Sequence, residues 1–257
     1  MNEAATLSRP TTRDEDWRYS DAEFIAEADP RTLAHWTEWS VAPGQNLAKA
    51  KIYDSGETAS GSIHRIQVHV GAGGRFEMWS VVRAAGFTRL ELDVTLEDGA
   101  HFEFGGVTIG GGDATQEFVT RVIHAGPNAT SNQTVRAVQW GKSTGNFLGR
   151  IEVARDAQKT DAGQNFRAIL LEKGATANTK PELEIFADDV QCAHGAAIGQ
   201  LDEVARYYMA ARGIPPEVAR KLLVQAFIGD AFVEYSNADA AERLLEQALK
   251  KLDEAAL

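Results

Sequence analysis

The stretch Asn178-Thr179-Lys180-Pro181-Glu182-Leu183-Glu184-Ile185-Phe186-Ala187-Asp188-Asp189-Val190-Gln191-Cys192-Ala193-His194-Gly195-Ala196 holds the only cysteine in 257 residues. His194 stands two positions after Cys192, and a carboxylate pair, Asp188-Asp189, stands just before. A thiol and an imidazole both bind soft or borderline metals. A closed structural zinc site takes about four ligands, so one cysteine and one histidine leave a site half built. On an extended segment, side chains at i and i+2 project to the same side, which places Cys192 and His194 together. Cys-His nucleophilic catalysis also lacks any orienting group that the sequence identifies. From the residues alone, the favoured reading is a buried cysteine acting as a small hydrophobe beside a hydrogen-bonded histidine. The other five histidines, His35, His64, His69, His101 and His124, are scattered. Asp188 and Asp189 are adjacent, so on a strand they point to opposite faces. They read as solvated or turn-capping acids, not as a glycosidase pair facing one substrate.

Outward from this stretch, residues from about 61 to 190 read as short strands separated by turn residues. Ile66, Val68 and Val70 alternate with Arg65, Gln67 and His69; Leu90, Leu92, Val94 and Leu96 alternate with Glu91, Asp93 and Thr95. That period of two marks half-buried strands. Further strand candidates are 102–104, 118–123, 134–138, 147–153, 166–171 and 183–186. Between them lie turn compositions such as Gly71-Ala72-Gly73-Gly74, Asp98-Gly99-Ala100 and Gly126-Pro127-Asn128-Ala129. A small-residue turn recurs roughly every 25 to 45 residues, as in a solenoid of stacked strands. A β-sandwich predicts similar spacing, and the pattern alone leaves both open.

Residues 1 to about 60 are polar and irregular, with helical pieces expected around 22–28 and 31–38. From about 200 the chain turns helical. Asp202 and Glu203 suit the first turn of a helix over 201–211, and Gly213 is placed to end it. Pro215 and Pro216 suit the start of a second helix, and Ser236 or Asn237 can cap a third. Apolar residues at Val218, Leu222, Leu223, Ala226 and Phe227 give the second helix one apolar face. Part of that face is either packed on the β-rich body or left for a partner.

The formal net charge of -11 argues against nucleic acid and anionic membrane as primary partners. The N-terminal residues carry no basic segment followed by an apolar one, and no window approaches the roughly 18 apolar residues of a span. A cytoplasmic location is expected. A single cysteine excludes an internal disulfide. Trp140-Gly141-Lys142-Ser143-Thr144-Gly145 looks like the end of a phosphate-binding loop, but Arg136 stands where its first glycine belongs. Gly110-Gly111-Gly112 lacks dinucleotide-loop spacing, with Thr115 at the final glycine position.

The segment 178–196 resembles the most recognisable part of SufD-type members of the SufB/SufD family, scaffold subunits of the SUF iron–sulfur cluster assembly system. The likeness continues through Gly199-Gln200-Leu201-Asp202-Glu203, Tyr208–Ile214 and Lys159-Thr160-Asp161-Ala162, and Arg13-Asp14-Glu15-Asp16-Trp17-Arg18-Tyr19 is similar to an early family segment. It is specific over about residues 120 to 235. The resemblance implies a mainly β fold: a right-handed parallel β-helix (solenoid) core with a C-terminal α-helical domain. It implies three parts: an irregular, partly helical segment (1–60), a β-helix core (61–199) and a SufC-binding helical domain (200–257). It further implies a non-catalytic scaffold that pairs with SufB through the β-helix, with ATP hydrolysis in SufC and no nucleotide bound by this chain. His194 and its neighbour Cys192 would match family residues at the SufB interface that hold iron or a transient iron–sulfur cluster. Many family members are considerably longer. Two rivals stand beside this reading: a SufD-like homodimer presenting two copies of Cys192 and His194, and a carbohydrate-active β-helix enzyme. The latter would need a secretion signal and a carboxylate-lined cleft, neither of which is evident.

Overall fold

The computed structural model describes residues 9–54 and 61–255. A 3-10 turn (Glu15–Trp17) and two short helices, α1 (Ala22–Glu27) and α2 (Pro30–Ala34), lead into twelve strands. These are β1 (Thr37–Val41), β2 (Asn46–Tyr53), β3 (Ser62–Val70), β4 (Arg75–Val82), β5 (Phe87–Leu96) and β6 (His101–Gly110), then β7 (Thr115–His124), β8 (Thr130–Gln139), β9 (Thr144–Val153), β10 (Asp161–Leu170), β11 (Thr176–Ile185) and β12 (Gln191–Gly199). Helices α3 (Glu203–Ala210), α4 (Pro216–Gly229) and α5 (Ala238–Asp253) follow, with a 3-10 turn (Asp230–Phe232) between the last two.

Odd-numbered strands form one six-stranded sheet and even-numbered strands a second, each in the order of the chain. All the pairings are parallel, for instance β5 with β7 and β8 with β10. Each odd–even pair of strands is therefore one coil. A residue lies 26 positions from its neighbour at Arg65–Glu91 and 32 at Arg150–Glu182. Five such steps lead from β1 to β11, so the fold is a parallel β-solenoid of about five turns with C-terminal helices. A β-sandwich, built from antiparallel strands, is ruled out.

The corner from each odd strand to the next even one explains the recurring small-residue turns. The first five of these six corners each hold one residue with positive φ: Gly44, Gly73, Gly99, Asn128 and Lys159. Glycine adopts that conformation without steric cost, and asparagine tolerates it. The corners stack through backbone bonds, from Gly73 N to Asp98 O (2.8 Å), Gly99 N to Pro127 O (2.9 Å) and Asn128 N to Gln158 O (2.8 Å). The loop at Trp140–Gly145 is another such turn, since Gly141 has φ 64° and Ser143 Oγ donates to the carbonyls of Gly110 and Trp140. Strand β9 follows it, with no helix N-terminus to hold a phosphate.

Between the sheets lies an apolar lumen. Leu90, Leu92, Val94, Leu96, Phe102, Phe104, Phe118 and Phe147 are buried there, and Phe76 stacks on Phe102 at 5.6 Å. The outer face of the even sheet is covered by the helical tail: Trp79, Val81, Val107 and Ile109 pack against Ile228, Phe232, Leu244 and Leu249. Gly105 lets the backbones close. A Cβ there would sit 2.0 Å from the Ala231 carbonyl oxygen. Strands β4 and β6 are consequently buried on both faces, which removes the alternation that marks a half-buried strand.

The outer face of the odd sheet is closed by the N-terminal segment. Arg89, Glu117, Asn146 and Asn178 are register neighbours on successive strands. Along that row Arg89 Nη1 donates to the Asp16 carbonyl, Ser20 Oγ to Glu117 (2.7 Å), and Asn146 Nδ2 to the Tyr19 carbonyl (3.0 Å). Trp17 is buried with Arg89 4.1 Å above its ring, and Lys180 pairs with Glu15 at 2.7 Å.

Sequence reading and structure differ near the N-terminus. The helix expected over 31–38 ends at Ala34, and Thr37 already begins β1. Both β1 and β2 lie ahead of residue 61, in the segment expected to be irregular or partly helical. Strand β2 is exposed over most of its length, so no apolar alternation announces it. In the C-terminal helices Asn237 accepts from Ala240 N and Gly213 has φ 77° after α3, as expected, whereas Asp202 is not in the first turn but caps α3 from outside, accepting from Val204 N and Ala205 N.

Candidate functional site

Strand β12 is the last strand of the even sheet and pairs only with β10. Its register places Cys192 beside Ala162, His194 beside Gln164 and Ala196 beside Phe166. Those three β10 residues are buried on the lumen side, and parallel neighbours share a face. Cys192 and His194 thus continue two columns that run up the inside of the solenoid. One passes through Phe76, Phe102, Ser131 and Ala162 to Cys192; the other passes through Met78, Phe104, Gln133 and Gln164 to His194. The second column turns from apolar to polar along the axis, and ends on the imidazole. No coil covers it, so His194 is exposed while Cys192 is half-buried.

Cys192 packs beside Ile151, Val153, Ala162 and Ala187. Burial, and next the nearby Asp161 carboxylate, push its thiol pKa up. At neutral pH it stays protonated, a poor nucleophile. A bound cation would favour the thiolate, because metal ligation deprotonates a thiol. The acidic pair does other work. Asp189 accepts at its backbone carbonyl from Lys159 N (2.6 Å), donates at N to Gln158 Oε1 (2.9 Å), and its side chain pairs with Lys159. It staples the last corner onto the stack.

Among the described residues no three His, Cys, Asp or Glu side chains converge to hold a metal. The arrangement is two potential ligands on one side of an edge strand, at the mouth of an open coil. Phe186 and Ile198, also on the last coil, are 57% and 47% exposed.

A model of the family described as "SUF system FeS cluster assembly, SufBD core domain" matches residues 19–227. The chain belongs to this family. Relatives include "Protein ABCI7, chloroplastic" of Arabidopsis thaliana, 38% identical over 133 residues, 51% of this chain and 28% of that protein. An iron-sulfur cluster assembly SufBD family protein of Synechocystis is 32% identical over 192 residues, 74% of this chain and 42% of its own length. "Iron-sulfur cluster assembly protein SufD" of Escherichia coli is 36% identical over 122 residues, 48% and 28% of the two lengths. The matched segments thus span well under half of each of these relatives.

The SufBD core match runs from the N-terminal segment into α4, which takes in every strand and most of the site's supports. The tail beyond the solenoid leaves apolar side chains uncovered: Val204 and Tyr207 on α3 are 77% and 78% exposed, and Val218 and Leu222 on α4 are also exposed. Among the described residues no helix is long and apolar enough to cross a membrane. The sequence pairs Cys192 with His194 correctly through strand alternation. It carries no signal that both face the lumen, since that follows only from the register with β10. The polar column of Gln133 and Gln164 was likewise missed.

Proposed function

We propose that this chain is a non-catalytic, SufD-type scaffold subunit for iron–sulfur cluster assembly and works as half of a pair. The supporting observation is the half-site: Cys192 and His194 on the lumen side of an uncovered edge strand, with no third ligand among the described residues. SufB, bound end-on to the last coil of a right-handed β-helix, would bring the remaining ligands. The iron or nascent cluster is cargo, held at the junction by neutral imidazole and thiolate. The division into an N-terminal segment (1–60), a solenoid core (61–199) and a helical domain (200–257) is part of this reading, as is a cytoplasmic location.

The exposed apolar faces of α3 and α4 are the surface for the SufC ATPase. Its ATP-driven movement reaches the site through a specific set of contacts. Asp230, beside α4, pairs with Arg136 at 2.5 Å; Arg136 donates to Asn165 Oδ1 at 2.9 Å; Asn165 is the register neighbour of Gly195. Displacing the helices would pull on β10 next to His194.

Co-expression with SufB and SufC from the same genome tests the reading. The three should co-purify with bound iron, and His194→Ala should keep the complex while its iron content and cluster formation in cells collapse. A chain that forms only a symmetric homodimer, and loads iron alone, would replace the SufB pairing by two copies of the same half-site. Unchanged cluster formation in His194→Ala would sink the assigned role.

A further inference from the structure

We propose that the cleft at the first coil of the solenoid, opposite the Cys192–His194 end, binds a small phosphate-bearing anion. The cleft encloses about 450 Å³, inside the range of small-molecule sites. Arg31 and His35 reach it from α2 and its end, Trp39 from β1, Lys51 from β2, and His64 and Arg65 from β3; among the described residues no carboxylate lines it. Arg65 is a fixed wall, since its guanidinium donates to Glu91 and to the Leu33 carbonyl and lies 4.0 Å from the Trp36 ring centroid. The other four basic side chains form no ion pair among the described residues. In a chain of net charge -11, positive groups would ordinarily find carboxylate partners. Here Lys51 Nζ and the His64 ring instead lie 5.0 Å and 4.6 Å from the Tyr53 ring centroid, and burial, then the Lys51 charge, hold the His64 pKa below its usual value.

The backbone adds a second, independent feature. Strand β1 pairs with β3 only from Ile66 onward. The start of β3, including His64 and Arg65, therefore has no strand neighbour on that side among the described residues, which leaves a bare strand edge beside the cleft. Exposed backbone N–H groups of this kind suit an anion. A metal cation is disfavoured, because the two imidazoles stand among Arg31, Lys51 and Arg65. Trp39, with Lys49 Nζ 5.7 Å from its ring centroid, closes one side.

Calorimetric titration of the full chain with inorganic pyrophosphate at low salt tests the site, with the histidine ring resonances followed by NMR. One-site saturable binding is expected. It should weaken at least tenfold in Arg31→Ala/Lys51→Ala and stay unchanged in Lys142→Ala, a surface lysine at the distant β8–β9 turn. The rings of His35 and His64 should shift, and that of His194 should not. Absence of saturable binding, equal weakening in Lys142→Ala, or unmoved His35 and His64 signals would each overturn the proposal.

Discussion

The middle coils and the last coil have the same backbone and opposite surfaces. Strand β6 is buried at nearly every position, with Phe102 and Phe104 in the lumen and Trp79, Val107 and the helical tail closing the outside. Strand β12 has the same register geometry and no fully buried residue. The repeat is thus used in two ways. Where a coil has neighbours on both sides, its side chains build stability. Where the stack stops, the same columns become a surface, and a thiol and an imidazole end them.

The largest effect that tests this contrast is expected at Arg89→Ala. It would strand the fully buried Glu117 carboxylate, which Arg89 contacts at 3.2 Å. Breaking a buried pair from one side costs about 3–5 kcal/mol, which thermal unfolding would register as a large fall in Tm. Phe118→Ala in a middle coil should cost about 3–5 kcal/mol, while Ile198→Ala in the last coil should stay within about 0.5 kcal/mol. Equal losses at these two positions would erase the distinction between coils.

A third expectation concerns acid. His124 lies in the lumen with Nε2 3.0 Å from Ser131 Oγ, and burial lowers its pKa to about 4. The unfolded histidine titrates near 6.5, so the native state binds fewer protons between those values. This contribution to stability is complete above pH 6.5 and is lost as pH falls from there towards 4. Denaturant unfolding across that window should show the decline, and His124→Gln should flatten it. Gly105→Ala should have a smaller effect, roughly 1–3 kcal/mol from overpacking, and should loosen the helical tail first, as proteolysis within α4 and α5 would reveal. His194→Ala, at the open end, should leave Tm unchanged.

The same contrast governs what the sequence discloses. Strand β5 is legible because Leu90, Leu92, Val94 and Leu96 alternate with polar residues on a less covered face. Strand β4 is not, because Phe76–Val82 is buried on both sides; the tail that covers it lies far ahead in the chain. The helices are legible through local capping at Asp202 and Asn237, which needs no tertiary information. At the candidate site, alternation alone pairs Cys192 with His194. That both end lumen columns, and that no coil follows, depends on register. His35 and His64 look scattered along the chain because only the meeting of α2 with β3 unites them. The early Trp17 segment reads as a motif without a purpose until Arg89 is seen against its ring.

That segment has a consequence for how the molecule comes apart. Solenoid coils touch only their neighbours, and such stacks can melt from an end, one unit at a time. Residues Glu15 to Ser20 bond to Arg89, Glu117, Asn146 and Lys180, which belong to β5, β7, β9 and β11. A single strap thus crosses four successive coils and splints them. Fraying the exposed last coil would have to break the Lys180–Glu15 link, so the open end of the stack is anchored by the N-terminal segment.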